Sequence, residues 1–109
     1  MTDTVHRELE VPSPPSETWE HVLDPTWLGG EGELPTTPGS EGWVKDGDVV
    51  RYLVVEEVVD EERYVYRWAT FAEAPSRVQI ELEPSESGSR ISITESPIVA
   101  RALASLILQ

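Results

Sequence analysis

An α+β domain, with one antiparallel sheet framed by helices, is the fold class this sequence predicts. Three observations carry it. Residues 77–83 (RVQIELE) and 89–95 (SRISITE) alternate apolar and polar side chains, and a turn-rich Pro84-Ser85-Glu86-Ser87-Gly88 joins them. Near the front, Trp19, Val22 and Leu23 fall at i, i+3 and i+4, one apolar stripe of a short helix. Residues 97–109 open with Pro97, and their polar side chains Arg101, Ser105 and Gln109 recur every four positions. That spacing predicts a C-terminal helix apolar on most of its circumference.

The remaining elements follow in order. In residues 4–11, Val5, Arg7, Leu9 and Val11 share one face of a first strand, with His6, Glu8 and Glu10 on the other. Pro12-Ser13-Pro14-Pro15 ends that strand, since proline has no amide hydrogen for a ladder. Ser16 is placed at the N-cap or in the first turn of the helix, with Glu17 near its positive end. Asp24-Pro25 breaks that helix, and Pro25-Thr26-Trp27-Leu28 reads as a second, very short one.

Residues 29–42 are a Gly- and Pro-rich loop with a short extended piece. A strand around Trp43-Val44-Lys45 meets Asp46-Gly47-Asp48, a hairpin signal, and β-branched residues 49–59 follow. Asp60-Glu61-Glu62 turns the chain into residues 63–71, which put Tyr64, Tyr66 and Trp68 on one face. With no repeat or linker, residues 1–109 read as a single domain.

Composition narrows the functional classes. The chain has 109 residues, 39% of them apolar, and four tryptophans, a globular rather than disordered profile. Twenty-one acidic against 8 basic residues give a formal charge of −13, which argues against nucleic acid and anionic membranes as partners. No apolar run has membrane-spanning length, and the N-terminus lacks signal-peptide character, so a cytoplasmic location is expected. The absence of cysteine excludes disulfides and thiolate chemistry. His6 and His21 have no partner at ligand spacing, so no metal site is expected, and with no phosphate loop or dinucleotide fingerprint in the sequence no cofactor is expected either.

Three blocks resemble one known family. VHRELEVPSPPSETWEHVLDPTWL (residues 5–28), VVEEVVDEERYVYRW (54–68) and RVQIELEPSESGSRISITES (77–96) are similar to the strand, bend, helix and hairpin blocks of homologues of the activator of the heat-shock chaperone ATPase. Glu57, Arg63, Tyr66 and Trp68 fall on recurrent positions, and Ser89-Arg90 stands where Thr-Arg is usual. The resemblance implies the helix-grip fold of the START/SRPBCC superfamily: a curved antiparallel sheet with two short N-terminal helices and a C-terminal helix. The chain departs from the family in lacking a tryptophan soon after Leu28, and in a short final helix where the family has a long one. An exposed apolar end at Leu103–Leu108 would be an association patch, making a homodimer through the C-terminal helix an open expectation.

Candidate site residues are the charges and aromatics that alternation turns inward. Arg7 shares a face with Val5 and Leu9, Glu57 with Leu53 and Val55, and Glu95 with Ile91 and Ile93. A buried lone charge is costly, so these side chains should pair with each other or with a ligand. Together with Trp27, Tyr64, Tyr66 and Trp68 they form the candidate ligand-binding set, and Glu57 is the candidate general acid or base. The structural alternatives are charges that sit near strand ends and reach water, an ion pair that fixes the sheet, and aromatics that are simply core. The functional expectation is non-catalytic binding of a hydrophobic or amphipathic small molecule. Its rivals, both implied by the resemblance, are a polyketide cyclase- or dehydratase-like enzyme and a co-chaperone-like interaction module.

Overall fold

A computed structural model describes residues 4–70 and 75–97. The predicted C-terminal helix, and any homodimer through it, lie outside the described residues. One curved antiparallel sheet of seven strands organises the molecule, in the order β1-β7-β6-β5-β4-β3-β2. The strands are β1 (Val5–Val11), β2 (Glu31–Glu33), β3 (Glu41–Asp46), β4 (Val49–Val59), β5 (Arg63–Ala69), β6 (Ser76–Ser85) and β7 (Gly88–Pro97). From β2 to β7 the sheet is a meander in which each strand pairs with its predecessor. Only β1 pairs out of sequence, closing against β7 with Val5 opposite Glu95 and Val11 opposite Ser89.

Among the described residues one α-helix, α1 (Pro15–Val22), packs on the inner face of the sheet. Pro14 is its N-cap, without a side-chain cap bond, and Pro15 occupies the first turn, where a missing amide hydrogen costs nothing. Ser16 is therefore a first-turn residue. The expected second helix is a single 3-10 turn, Pro25–Leu28, whose Asp24 accepts from the Thr26 amide at 2.9 Å. The three residues between Asp24-Pro25 and Gly29 leave no room for α-helical propagation.

Side chains directly opposite one another in a ladder share a face, which sorts the sheet into two surfaces. The inner face carries the core: Val44, Leu53, Val55, Tyr64, Tyr66, Val78, Ile80 and Leu82, with Trp19 and Val22 of α1 laid over them. Trp19 meets the Tyr64 ring edge-on, centroids 6.5 Å apart. The outer face holds a ladder of charges: Arg63 with Glu57, Arg67 and Arg77 with Glu56, and Arg90 with Glu10 and Glu83.

The proline corner is held from beneath by hydroxyls. Thr18 Oγ1 lies 2.7 Å from Ser13 Oγ and 3.3 Å from Ser89 Oγ, and Ser89 donates to the Ser13 carbonyl at 2.7 Å. Gly88, at φ +146°, lets β7 start against this corner; a Cβ there would stand 2.3 Å from the Val11 carbonyl oxygen. β6 and β7 consequently run further into the predicted turn than alternation indicated, leaving two residues between Ser85 and Gly88.

Candidate functional site

The polar groups of the inner face gather where β4, β5, β6 and β7 lie side by side. Trp68 on β5 stands opposite Leu53 of β4 and Ser76 of β6, and Glu95 of β7 stands opposite Val78. From there the Glu95 carboxylate reaches diagonally across β6. Its Oε2 accepts from Trp68 Nε1 at 3.0 Å and from the Ser76 hydroxyl. Two residues before Leu53, the Arg51 guanidinium lies over the Trp68 ring, 4.8 Å from its centroid, within cation–π range. A carboxylate and a guanidinium therefore flank one indole on an otherwise apolar surface.

Tyr66 sits beside this group. Its ring is fully buried, 5.3 Å from Trp68 and 5.5 Å from Tyr64, and opposite Val55 and Val78. The phenolic oxygen is buried and finds no hydrogen-bond partner among the described residues. Burial pushes this phenol well above the ordinary tyrosine range, and the Glu95 charge pushes it further, with Arg51 opposing. Tyr66 is accordingly a neutral hydroxyl with a proton to donate. Tyr64 is likewise raised by burial, but its hydroxyl is occupied, donating to the Pro35 carbonyl at 2.6 Å. It fastens the loop after β2 to the core.

Four of the seven expected site residues thus lie together on the inner face: Tyr64, Tyr66, Trp68 and Glu95. Arg7 is on that face too, opposite Ile93, but it is exposed and forms no ion pair among the described residues. The expected pairing of inward arginine with inward glutamate is replaced by the Glu95–Trp68–Ser76 bonds. Trp27 is 42% exposed and donates to the Val22 carbonyl at 2.9 Å, sealing the end of α1.

Glu57 requires a correction. The β4–β5 register slips between Val55 and Glu57, so Val58 rather than Glu57 stands opposite Tyr64. This bulge reverses the parity of the strand and turns Glu57 to the outer face, where Arg63 Nη1 contacts it at 2.8 Å. The Val55 amide and carbonyl bond instead to Ser40 and Gly39 of the loop. Ser76 and Arg51 went unnoticed in the sequence. Counting back by two from Val78 and from Leu53 places both on the inner face.

Among the described residues no group of three or more His, Asp or Glu side chains is placed to hold a metal ion. No helix there is long and apolar enough to cross a membrane.

Solved structures share this architecture. DynU16, a protein of the dynemicin biosynthetic locus, is 26% identical with a TM-score of 0.78; the match covers 96% of this chain but 43% of DynU16. MLL2253 from Mesorhizobium loti is 21% identical with a TM-score of 0.78, over 87% of this chain and 76% of its own. CalU16 from Micromonospora echinospora is 15% identical with a TM-score of 0.70, over 88% and 61%. No curated protein matches the chain. The family model for Activator of Hsp90 ATPase homolog 1-like proteins matches residues 12–105, from the proline corner through all the strands that follow it. By that match, which spans most of its length, the chain belongs to the Activator of Hsp90 ATPase homolog 1-like family.

Proposed function

We propose that this protein binds a hydrophobic or amphipathic small molecule on the inner face of its sheet, around Trp68, without chemistry of its own. The observation that carries the reading is Glu95: a carboxylate held by Trp68 and Ser76 on a surface built of Leu53, Val55, Val78 and aromatic rings. An apolar wall with a few fixed polar groups is the usual composition of a small-molecule site. The side chains are oriented by strands rather than loops, which keeps them preorganised.

Native mass spectrometry of the purified full chain tests this and reads the subunit number in the same spectrum. A retained small-molecule mass that is lost in a Trp68→Ala variant supports the reading. A ligand-free spectrum, together with no binding of bicyclic hydrocarbons or ketones in solution, rejects it.

One observation favours a second reading. The likeness to DynU16, from a biosynthetic locus, suggests a cyclase-like enzyme in which Glu95 takes a proton and Tyr66 supplies one. Under that reading Glu95→Gln abolishes turnover of a polyketone while leaving its binding intact.

A further inference from the structure

We propose that the outer face of the sheet, across β2, β3 and β4, docks an extended peptide of a partner protein that carries proline and arginine. This surface lies on the other side of the sheet from Trp68 and Glu95, so it is independent of the small-molecule reading. Glu33 stands opposite Trp43, and Trp43 opposite Tyr52; in the next row Glu41 stands opposite Val54. Glu41, Trp43, Tyr52 and Val54, with the backbone of Gly42 and Leu53 as floor, line an open groove of about 580 Å³. Tyr52 is exposed, Trp43 is half-buried, and neither ring belongs to the core cluster. An aromatic groove on a face otherwise covered by charges marks an interaction surface.

Two features select the occupant. Trp27 and Trp68 donate their indole hydrogens within the chain, whereas that of Trp43 finds no acceptor among the described residues. A proline-rich segment has no internal hydrogen bonds, so its carbonyls are free to accept, and its rings pack on aromatic side chains at little ordering cost. The second feature is charge. Glu10, Glu56, Glu57 and Glu83 on this face are matched by arginines, but Glu33 and Glu41 form no ion pair among the described residues. The cations nearest in register are Lys45, opposite Glu31 and Val50, and Arg67, opposite Val54 and paired with Glu56. Glu31, Glu33 and Glu41 outnumber Lys45, and the acidic rim suits arginine. A second copy of the chain would bring the same acids and a formal charge of −13 to the contact.

The test titrates a synthetic peptide, Pro-Pro-Arg-Pro-Pro-Arg-Pro-Pro, into the full-length protein at low salt, beside one peptide with glutamine for arginine and one with alanine for proline. The first is expected to bind about tenfold more tightly than either control, and Trp43→Ala or Tyr52→Ala to weaken it about tenfold. The double variant Glu33→Gln/Glu41→Gln removes the preference for arginine over glutamine and flattens the salt dependence. Indole N–H signals in NMR spectra of the wild type give a readout that needs no variant: the Trp43 signal moves on titration and the Trp68 signal stays. No binding, or an unmoved Trp43 signal, overturns the proposal, as does binding that survives both aromatic substitutions. Equal affinity for the alanine peptide also overturns it, because charge alone then accounts for the contact. A dimer that becomes monomeric in Trp43→Ala assigns the groove to a second copy, and magnetisation transfer from the Trp43 ring to residues 98–109 assigns it to the chain's own end; either result overturns it.

Discussion

Trp68 on β5 donates its indole hydrogen to Glu95 on β7 at 3.0 Å, spanning the intervening strand β6 through the shared partner Ser76. A carboxylate accepting two side-chain donors is a stronger fixture than a neutral pair, and it sets the orientation of the whole inner-face cluster. Glu95→Ala leaves the indole nitrogen and the serine hydroxyl without their acceptor. It is expected to lower stability by about 1–3 kcal/mol, with Glu95→Gln costing less because its amide oxygen still accepts. Urea unfolding followed by tryptophan fluorescence measures both. Equal midpoints for wild type and Glu95→Ala would show that the bonds contribute nothing.

The Ser13–Thr18–Ser89 hydroxyls tie three elements at one buried point: the proline corner, α1 and the start of β7. Thr18 and Ser89 are both almost fully buried, so water cannot substitute easily. Thr18→Val keeps the shape and removes the hydroxyl; Ser89→Ala removes the donor to the Ser13 carbonyl. Each should cost about 1–2 kcal/mol, and the double variant less than the sum, since both act on one network. Strict additivity would mean that the hydroxyls act separately.

Most of the fold was legible because its signals are local. Alternation found β6 and β7, Asp46-Gly47-Asp48 found the β3–β4 hairpin, and the proline run found the corner. The aromatic face was legible for the same reason, as Tyr64, Tyr66 and Trp68 lie on one unbroken strand. Glu57 was misplaced because strict alternation through residues 49–59 is interrupted by a bulge that no composition signal marks. What stabilises that bulge is a loop fifteen residues upstream in sequence, which the pattern of β4 alone does not contain. With Glu57 half-exposed beside Arg63, Glu57→Gln should move the melting temperature by no more than about 2 °C. A drop several times larger would return Glu57 to a buried role.

Glu61 turns β4 into β5 at φ +61°, the only non-glycine in the left-handed region among the described residues. A side chain there costs roughly 1–2 kcal/mol, of which glycine recovers a part after its own entropy is counted. Glu61→Gly is expected to raise stability by about 0.5–1 kcal/mol, roughly 3 °C in melting temperature, whereas Glu61→Ala gains none of this. Calorimetry on the two variants separates relief of backbone strain from mere loss of an acidic residue. A rise shared by both would assign the gain to charge.

One acid-sensitive contact ties β1 to the β6–β7 hairpin. Glu10 accepts from Ser85 at 2.9 Å and Ser87 at 3.2 Å, and pairs with Arg90 at 2.9 Å. The Ser85 bond first, then Arg90, hold its carboxyl below the ordinary value of 4.5. A carboxyl depressed in the folded state stabilises the fold while pH stays above its unfolded value. That contribution fades as pH falls through the folded value, because the unfolded chain takes up the proton first. Glu10→Gln should therefore melt below wild type at a pH of about 6, and the two curves should converge as the pH approaches about 3. The many other acidic groups, whose mutual repulsion also changes on protonation, act alike on both proteins and cancel in the difference. Melting curves that stay parallel across this range would assign Glu10 a contribution independent of its ionisation.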